Sequence, residues 1–216
     1  MRIGVIRVLT TDDPHLLDQH GTVIRATYGV ETVSRSIPEQ PRGVFSEETF
    51  ALAAPKVADL AARMEREDGV EAIVLSCAAG PGLAAARDRV TVPVHGAGAS
   101  AARAALGLGD RVGVLDLTKD TPLAVTEVLG DRLVAAVVPD GVSETRHLLT
   151  PEGLSAAVAA AHHLVDRGAN VIMFACTGMT TIGLKATLAE QIDVPIVDAV
   201  LAAADAAIHD PAITGR

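Results

Sequence analysis

The sequence predicts an α/β protein made of two similar parallel-sheet lobes. Three observations carry this. Short β-branched runs alternate with alanine-rich stretches of helical period, the pattern of strands joined by helical crossovers. Three blocks then recur in the same order, which points to an internal duplication. Finally, the only two cysteines stand at the same place in one recurring block, in "AIVLSCAAGPGL" (72–83) and "VIMFACTGMTTIGL" (171–184).

Taken along the chain, the expected strands are Ile3–Leu9, Val70–Ser76, Val92–His95, Val112–Leu117, Val134–Pro139, Val171–Ala175 and Val194–Asp198. Each is a short apolar run rich in Val and Ile, as a strand buried on both faces requires. Between them, "FALAAPKVADLAARMERE", "ASAARAALGLG", "PLAVTEVLG", "EGLSAAVAAAHHLVDRG" and "GLKATLAEQI" read as helices. Gly69 and Gly168 follow two of these and mark helix C-caps before the next strand. The segment "RSIPEQPRGVFSEE" (35–48) has no period and three helix or strand breakers, Pro38, Pro41 and Gly43, and is expected to be a loop able to cover a site.

The recurring blocks are "IGVIRVLT" (3–10) with "VGVLDLTK" (112–119), "DGVEAIVLSC" (68–77) with "RGANVIMFAC" (167–176), and "VTVPVHGAGASAARAAL" (90–106) with "IDVPIVDAVLAAADAAI" (192–208). Their offsets are 109, 99 and 102 residues. They divide the chain into one lobe of 1–95 plus 198–216, carrying Cys77, and a second of 96–197, carrying Cys176.

Composition narrows the function. Apolar residues make up 49% of the 216, but aromatics only 2%, so the core must be aliphatic. That scarcity, with a net charge of −9 and no basic block, argues against nucleic acid as a partner. No uncharged 18-residue apolar run indicates a membrane span. The opening "MRIGVIRVLTTDDPH" is too charged at Arg7, and too short in its apolar part, for a signal peptide. A cytoplasmic location with free thiols is therefore expected. The expected partners are a small-molecule substrate and further copies of the chain. No H-x-x-x-H or Cys-x-x-Cys spacing suggests a metal site.

Both cysteines sit beyond the carboxyl end of a strand, where open parallel sheets bind ligands, and before a helix-like start. Free N–H groups there favour an anion, lower a thiol pKa toward neutrality, and supply donors for an enolate oxygen. If the lobes face each other, one sulfur can take a proton from a substrate carbon while the other returns one to the opposite face. That is a two-base racemisation, with no cofactor. Two alternatives stand beside it: a pair of buried structural cysteines, or a disulfide. A different class is suggested by "HGAGASA" (95–101), which contains G-x-G-x-x-A with Asp116 twenty residues beyond Gly96, and so mimics a dinucleotide fingerprint. The same glycines could instead allow close packing of helix on sheet.

The motifs "SCAAGPGL" and "ACTGMTTIG", with "VPVHGAGAS" and "VPIVDAV", resemble the Asp/Glu/hydantoin racemase superfamily, and its hydantoin racemase branch most closely. The resemblance spans nearly the whole chain. It implies two four-stranded parallel α/β lobes with the site between them, Cys77 and Cys176 as the acid/base residues, and no cofactor. Amino-acid racemases of the superfamily typically read C-N-T and C-T-H at the two cysteines. Here the residues are Cys77-Ala78-Ala79 and Cys176-Thr177-Gly178, which implies a 5-substituted hydantoin or related cyclic amide rather than aspartate or glutamate. Other activities of the superfamily, amino-acid racemisation, decarboxylation or isomerisation, remain alternatives. The hydantoin branch usually carries Asp-Pro where this chain has Gly80-Pro81. Candidate substrate contacts are Ala78, Gly80, Thr177 and Gly178 in the two motifs, Arg7, Thr10 and Thr118 near strand ends, and Arg42 in the loop. Helix capping, pairing of Arg7 with Asp116, and a solvated Arg42 are the plain readings of the polar ones.

Overall fold

The computed structural model describes residues 1–215; Arg216, the last residue of the expected first lobe, lies outside the described residues. Eight strands form two four-stranded parallel sheets. The first holds β1 (Arg2–Arg7), β2 (Glu31–Ser36), β3 (Ala72–Ser76) and β4 (Val94–Gly96), in the order β2-β1-β3-β4. The second holds β5 (Val112–Leu115), β6 (Leu133–Val137), β7 (Val171–Phe174) and β8 (Ile196–Val197), in the order β6-β5-β7-β8. All pairings are parallel. The two orders are the same topology, so the recurring sequence blocks correspond to a recurring fold.

Ten helices connect and cover the strands: α1 (Pro14–Tyr28), α2 (Glu47–Asp68), α3 (Leu83–Arg89), α4 (Ala97–Leu106), α5 (Leu123–Leu129), α6 (Pro151–Asp166), α7 (Gly178–Thr181), α8 (Leu184–Ala189), α9 (Ala199–Ile208) and α10 (Pro211–Thr214). Their ends follow local chemistry. Ser46 and Thr49 form a capping box at the start of α2, and Gly69 ends that helix in the left-handed conformation. Thr150 caps α6 through the Gly153 amide.

Alternation along the first sheet splits its side chains between two layers. Ile3, Val5, Ala72 and Val74 point to one face and join an apolar cluster that runs on into the second sheet. Ile6, Ile73 and Leu75 point to the other and pack with Val57, Ala61 and Met64 of α2. The core is aliphatic, with Phe174 its one large buried aromatic among the described residues. α4 packs on α9, and Ala101 and Ala105 of the first and Ala203 and Ala207 of the second are fully buried. Such small side chains let the helices approach closely.

One strand was not anticipated. Residues Glu31–Ser36 form β2, and the expected loop of 35–48 begins inside it. This edge strand is only half-buried, with Thr32, Ser34 and Ser36 alternating with Val33 and Arg35. It lacks the continuous apolar run that marks the central strands.

Candidate active site

Parallel registers bring the carboxyl ends of the central strands together. Arg7 of β1 pairs with Ser76 of β3, and Leu115 of β5 pairs with Phe174 of β7. Cys77 follows the first pair directly. In the second lobe the Ala175 amide bonds the Leu115 carbonyl at 2.8 Å, and Cys176 comes next. The residues just past these four strands, Val8, Cys77, Leu117 and Cys176, line one cavity of about 460 Å³. That volume suits a small organic molecule.

The turns after the two cysteines follow one plan. The Gly80 amide donates to the Cys77 carbonyl and the Met179 amide to the Cys176 carbonyl, each at 3.2 Å, while the amides of Ala79 and Gly80 favour the Cys77 thiolate and those of Gly178 and Met179 the Cys176 thiolate. Donors thus come from the second and third residue after each cysteine. Gly80 adopts φ +66° to make its turn, a left-handed geometry that suits glycine. Both thiols are free and buried. Their acidities differ from the sequence expectation: burial pushes Cys77 up to about 11 and Cys176 up to about 12, overriding the N–H donors. Burial thus favours the thiol form of both sulfurs at neutral pH.

Asp116 lines the cavity beside Cys176, and only 1% of it is exposed. Its Oδ1 accepts the Leu117 amide at 2.8 Å, while its Oδ2 has no hydrogen-bond partner. Burial raises its pKa to about 6, against the opposing pull of the Leu117 amide. Arg7, its counterpart in the repeat, does not line the cavity. Its guanidinium donates to the Leu16 carbonyl at 2.7 Å and the Leu17 carbonyl at 3.3 Å. Burial lowers its pKa to about 10, with Cys176 close enough to pull the other way.

A buried polar chain ties the two cysteine turns together. His20 of α1 bonds Ser76 at 2.6 Å through Nδ1 and Thr181 of α7 at 2.8 Å through Nε2. Thr177 donates to the Ser76 carbonyl at 3.1 Å. His20 is fully buried; desolvation, then the charge of Arg7, hold its pKa well below the usual range. It therefore acts as a neutral hydrogen-bonding link. No sequence signal singled out His20, because its partners lie 56 and 161 residues away.

Of the other residues named from the sequence, Ala78, Thr118 and Thr177 line the cavity. Gly80 and Gly178 stand behind it, where their amides favour the thiolates. Thr10 lies outside it, where it donates to the Ile37 carbonyl at 2.6 Å and accepts from the Gln40 amide at 2.7 Å. Arg42 also lies outside it, stacked on Phe45 at 4.5 Å and paired with the buried Glu144 of the second lobe. Its loop thus reaches across to the other lobe. Sequence reasoning missed Phe45, Phe50, Thr121, Leu123 and Thr145, which wall the cavity. Their contribution depends on loops meeting in space and leaves no periodic trace.

The glycines of "HGAGASA" have a packing role. A Cβ on Gly98 would overlap the Ala78 carbonyl, and one on Gly96 would come within 2.8 Å of Leu83. The first turn of α4 therefore presses on the turn that holds Cys77.

The family model described as Asp/Glu/Hydantoin racemase matches residues 17–207. A search of the curated proteins finds no match. Among solved structures, allantoin racemase from Klebsiella pneumoniae superposes with a TM-score of 0.86 at 24% identity, over 100% of this chain and 89% of that one. Allantoin racemase from Pseudomonas fluorescens gives 0.81 at 25% identity, over 96% and 89%. Glutamate racemase from Bacillus anthracis gives 0.66 at 16% identity, over 98% and 82%. The chain belongs to the Asp/Glu/hydantoin racemase family.

Proposed function

We propose that this member of the family is a racemase that inverts a carbon acid next to a carbonyl, with Cys77 and Cys176 as opposed bases. The observation that carries the reading is the matched pair of turns, each cysteine lining one cavity and each with its carbonyl bonded by the amide three residues on. One sulfur, as thiolate, removes the proton, and the other, as thiol, delivers one to the opposite face. Backbone amides of the two cysteine turns stabilise the enolate oxygen as it forms. The scheme calls on no cofactor.

The substrate is a 5-substituted hydantoin or a related cyclic amide. Among the described residues no Lys or Arg lines the cavity, whereas Glu47, Asp116 and Asp120 do. An amino-acid carboxylate would enter a site already holding acids and about to gain a thiolate; a neutral ring avoids that repulsion. The two allantoin racemases similar in structure act on such a ring, a hydantoin bearing a ureido group. We divide the lobes as 1–95 with 198–216, and 96–197. Packing of α9 on β3 and of α4 on β7 supports this exchange of helices.

The test is chiral chromatography of single-enantiomer hydantoins, allantoin, aspartate and glutamate incubated with the protein, against a protein-free background. Racemisation of the hydantoins or allantoin is expected. Turnover of aspartate or glutamate alone would replace this reading with that of an amino-acid racemase.

A further inference from the structure

The segment between β2 and α2, residues 37–46, forms a strap that runs from the first lobe onto the second. Its base is tied to its own lobe. The Thr10 hydroxyl donates to the Ile37 carbonyl at 2.6 Å and accepts the Gln40 amide at 2.7 Å, and the buried Gln40 side chain donates to the Thr49 carbonyl at 2.9 Å. Its tip is bent between two residues in the left-handed region, Glu39 at φ +53° and Gly43 at φ +74°. Glu39 is the only non-glycine residue of this kind among the described residues. Such a conformation persists where surrounding contacts hold it.

One contact does so at the far side. Among the described residues, Arg42 with Glu144 is the only ion pair or hydrogen bond between residues 41–46 and the second lobe. Glu144 is no ordinary surface acid, since only 3% of its side chain is exposed. Its Oε1 takes both Arg146 contacts at 2.6 Å, and its Oε2 takes Arg42. Buried carboxylate oxygens need partners, so without Arg42 this oxygen would have to turn to water. The cavity is affected directly. Arg42 stacks on Phe45, and both Phe45 and Thr145, the residue after Glu144, line the cavity. Gly43 lies so near Thr145 that an added Cβ would stand 3.2 Å from its hydroxyl. Within the cavity walled in this way, Cys77 and Cys176 are each only 7% exposed.

We infer that the Arg42–Glu144 pair is a latch between the lobes, which holds the strap closed and governs how readily a small molecule reaches the two sulfurs. Arg42 is thus a positioning residue that acts through the strap and Phe45. The inference rests on the racemase reading only for the kind of molecule admitted; access itself is measured without turnover.

The chain has only two cysteines and both line the cavity, so thiol reactivity reports on this site alone. The probe is 4,4′-dithiodipyridine, an uncharged disulfide. A cysteine sulfur bonds to one half, the reagent's S–S bond breaks, and the other half leaves as an absorbing thiopyridone. Arg42→Gln should react about 3- to 10-fold faster than the wild type, between the worth of an exposed ion pair and that of a hydrogen bond to a buried charge. Loss of a positive charge by itself would make thiolates scarcer and slow the reaction, so acceleration marks opening. Glu144→Gln removes the same pair from the other side and should accelerate alike, and the double variant should be no faster than either single one. Arg25→Gln removes a half-exposed ion pair within the first lobe, Arg25 with Asp18 at 2.5 Å, and should leave the rate unchanged. Circular dichroism checks each fold. Wild-type thiols that react as fast in the folded protein as in guanidinium chloride overturn the latch, whichever variants fold. So does an acceleration below about threefold in Arg42→Gln, an equal acceleration in Arg25→Gln, or a double variant in which the two single effects multiply. A protein that shows the expected pattern of access yet racemises nothing removes the racemase reading and leaves the latch standing.

Discussion

The two cysteine turns share one backbone design but sit in unlike surroundings. At each, the amide of the third following residue donates to the cysteine carbonyl at 3.2 Å. After Cys77 the chain winds through Gly80, Pro81 and Gly82 before α3 begins at Leu83. After Cys176 it enters α7 at once, at Gly178. Cys77 is followed by the apolar lining residues Ala78 and Ala79, whereas Cys176 is followed by Thr177 and lies close enough to Asp116 to feel its charge. Burial is the first cause of both raised thiol pKa values, but Cys176 is pushed further by Cys77 and Asp116. Backbone geometry, set by the repeat, supplies the symmetric proton chemistry. Side chains, free to differ between repeats, make the two surroundings unlike.

The comparison breaks first at the sulfurs. Cys77→Ser and Cys176→Ser should each lower racemisation about 10³-fold or more, because a serine hydroxyl barely ionises near neutral pH. In deuterium oxide each variant should still exchange the proton of one enantiomer with retention, and the two should favour opposite enantiomers, read by NMR with chiral separation. Near wild-type racemisation in Cys77→Ser would mean that the apolar half takes no part.

The next largest effect belongs to Asp116. Its folded pKa of about 6 lies above the unfolded value of 3.8. The folded state therefore holds the proton more tightly, and this contribution is present below about pH 4 and lost as pH rises through 6. Denaturant titrations should show Asp116→Asn gaining about 2 kcal/mol on the wild type between pH 4 and pH 7. No matching change is expected from Val8→Ala in the apolar half.

Turnover should follow the thiols together. With one at about 11 and the other at about 12, the thiolate fraction of the pair grows about tenfold per pH unit below the first ionisation. kcat/KM should rise in step between pH 7 and 8.5; a flat profile would show that the bound ligand resets the thiol acidity.

The smallest effects separate the two turns by sterics. Ala in place of Gly178 would bring its Cβ to 2.9 Å from Leu148 and Thr145 and 3.3 Å from the Cys176 sulfur. A loss of about 1–3 kcal/mol is expected, along with reduced turnover. At Gly80 the added Cβ meets only Leu83, at 3.8 Å. Gly80→Ala should cost about 1–2 kcal/mol from its positive φ alone. Thermal melts would register each kcal/mol as about 2–4 °C.

Much of this was legible in the order of residues. Continuous Val/Ile/Leu runs mark seven of the eight strands because a strand buried on both faces has no polar alternation to confuse. The edge strand β2 escaped because its half-exposed face dilutes that signal. Cys77 and Cys176 were legible because a duplicated turn leaves a duplicated motif. The raised thiol pKa values were not, since a helix-like start argues for a lowered pKa, and only packing shows that desolvation outweighs the amides.

The sequence by itself determined the repeating α/β plan, the aliphatic core and the two cysteine turns, because these depend on local periodicity and on residue types a few positions apart. Tertiary structure alone decided that Arg7 turns to the Leu16 and Leu17 carbonyls while Asp116, its repeat counterpart, lines the cavity. It alone joined His20 to Ser76 and Thr181 across the lobes, and left Asp116 Oδ2 without a partner. The physical reason is that hydrogen-bond satisfaction and desolvation depend on every group brought near in space, and the bonds that tie the two cysteine turns together join residues 56 to 161 apart in the chain.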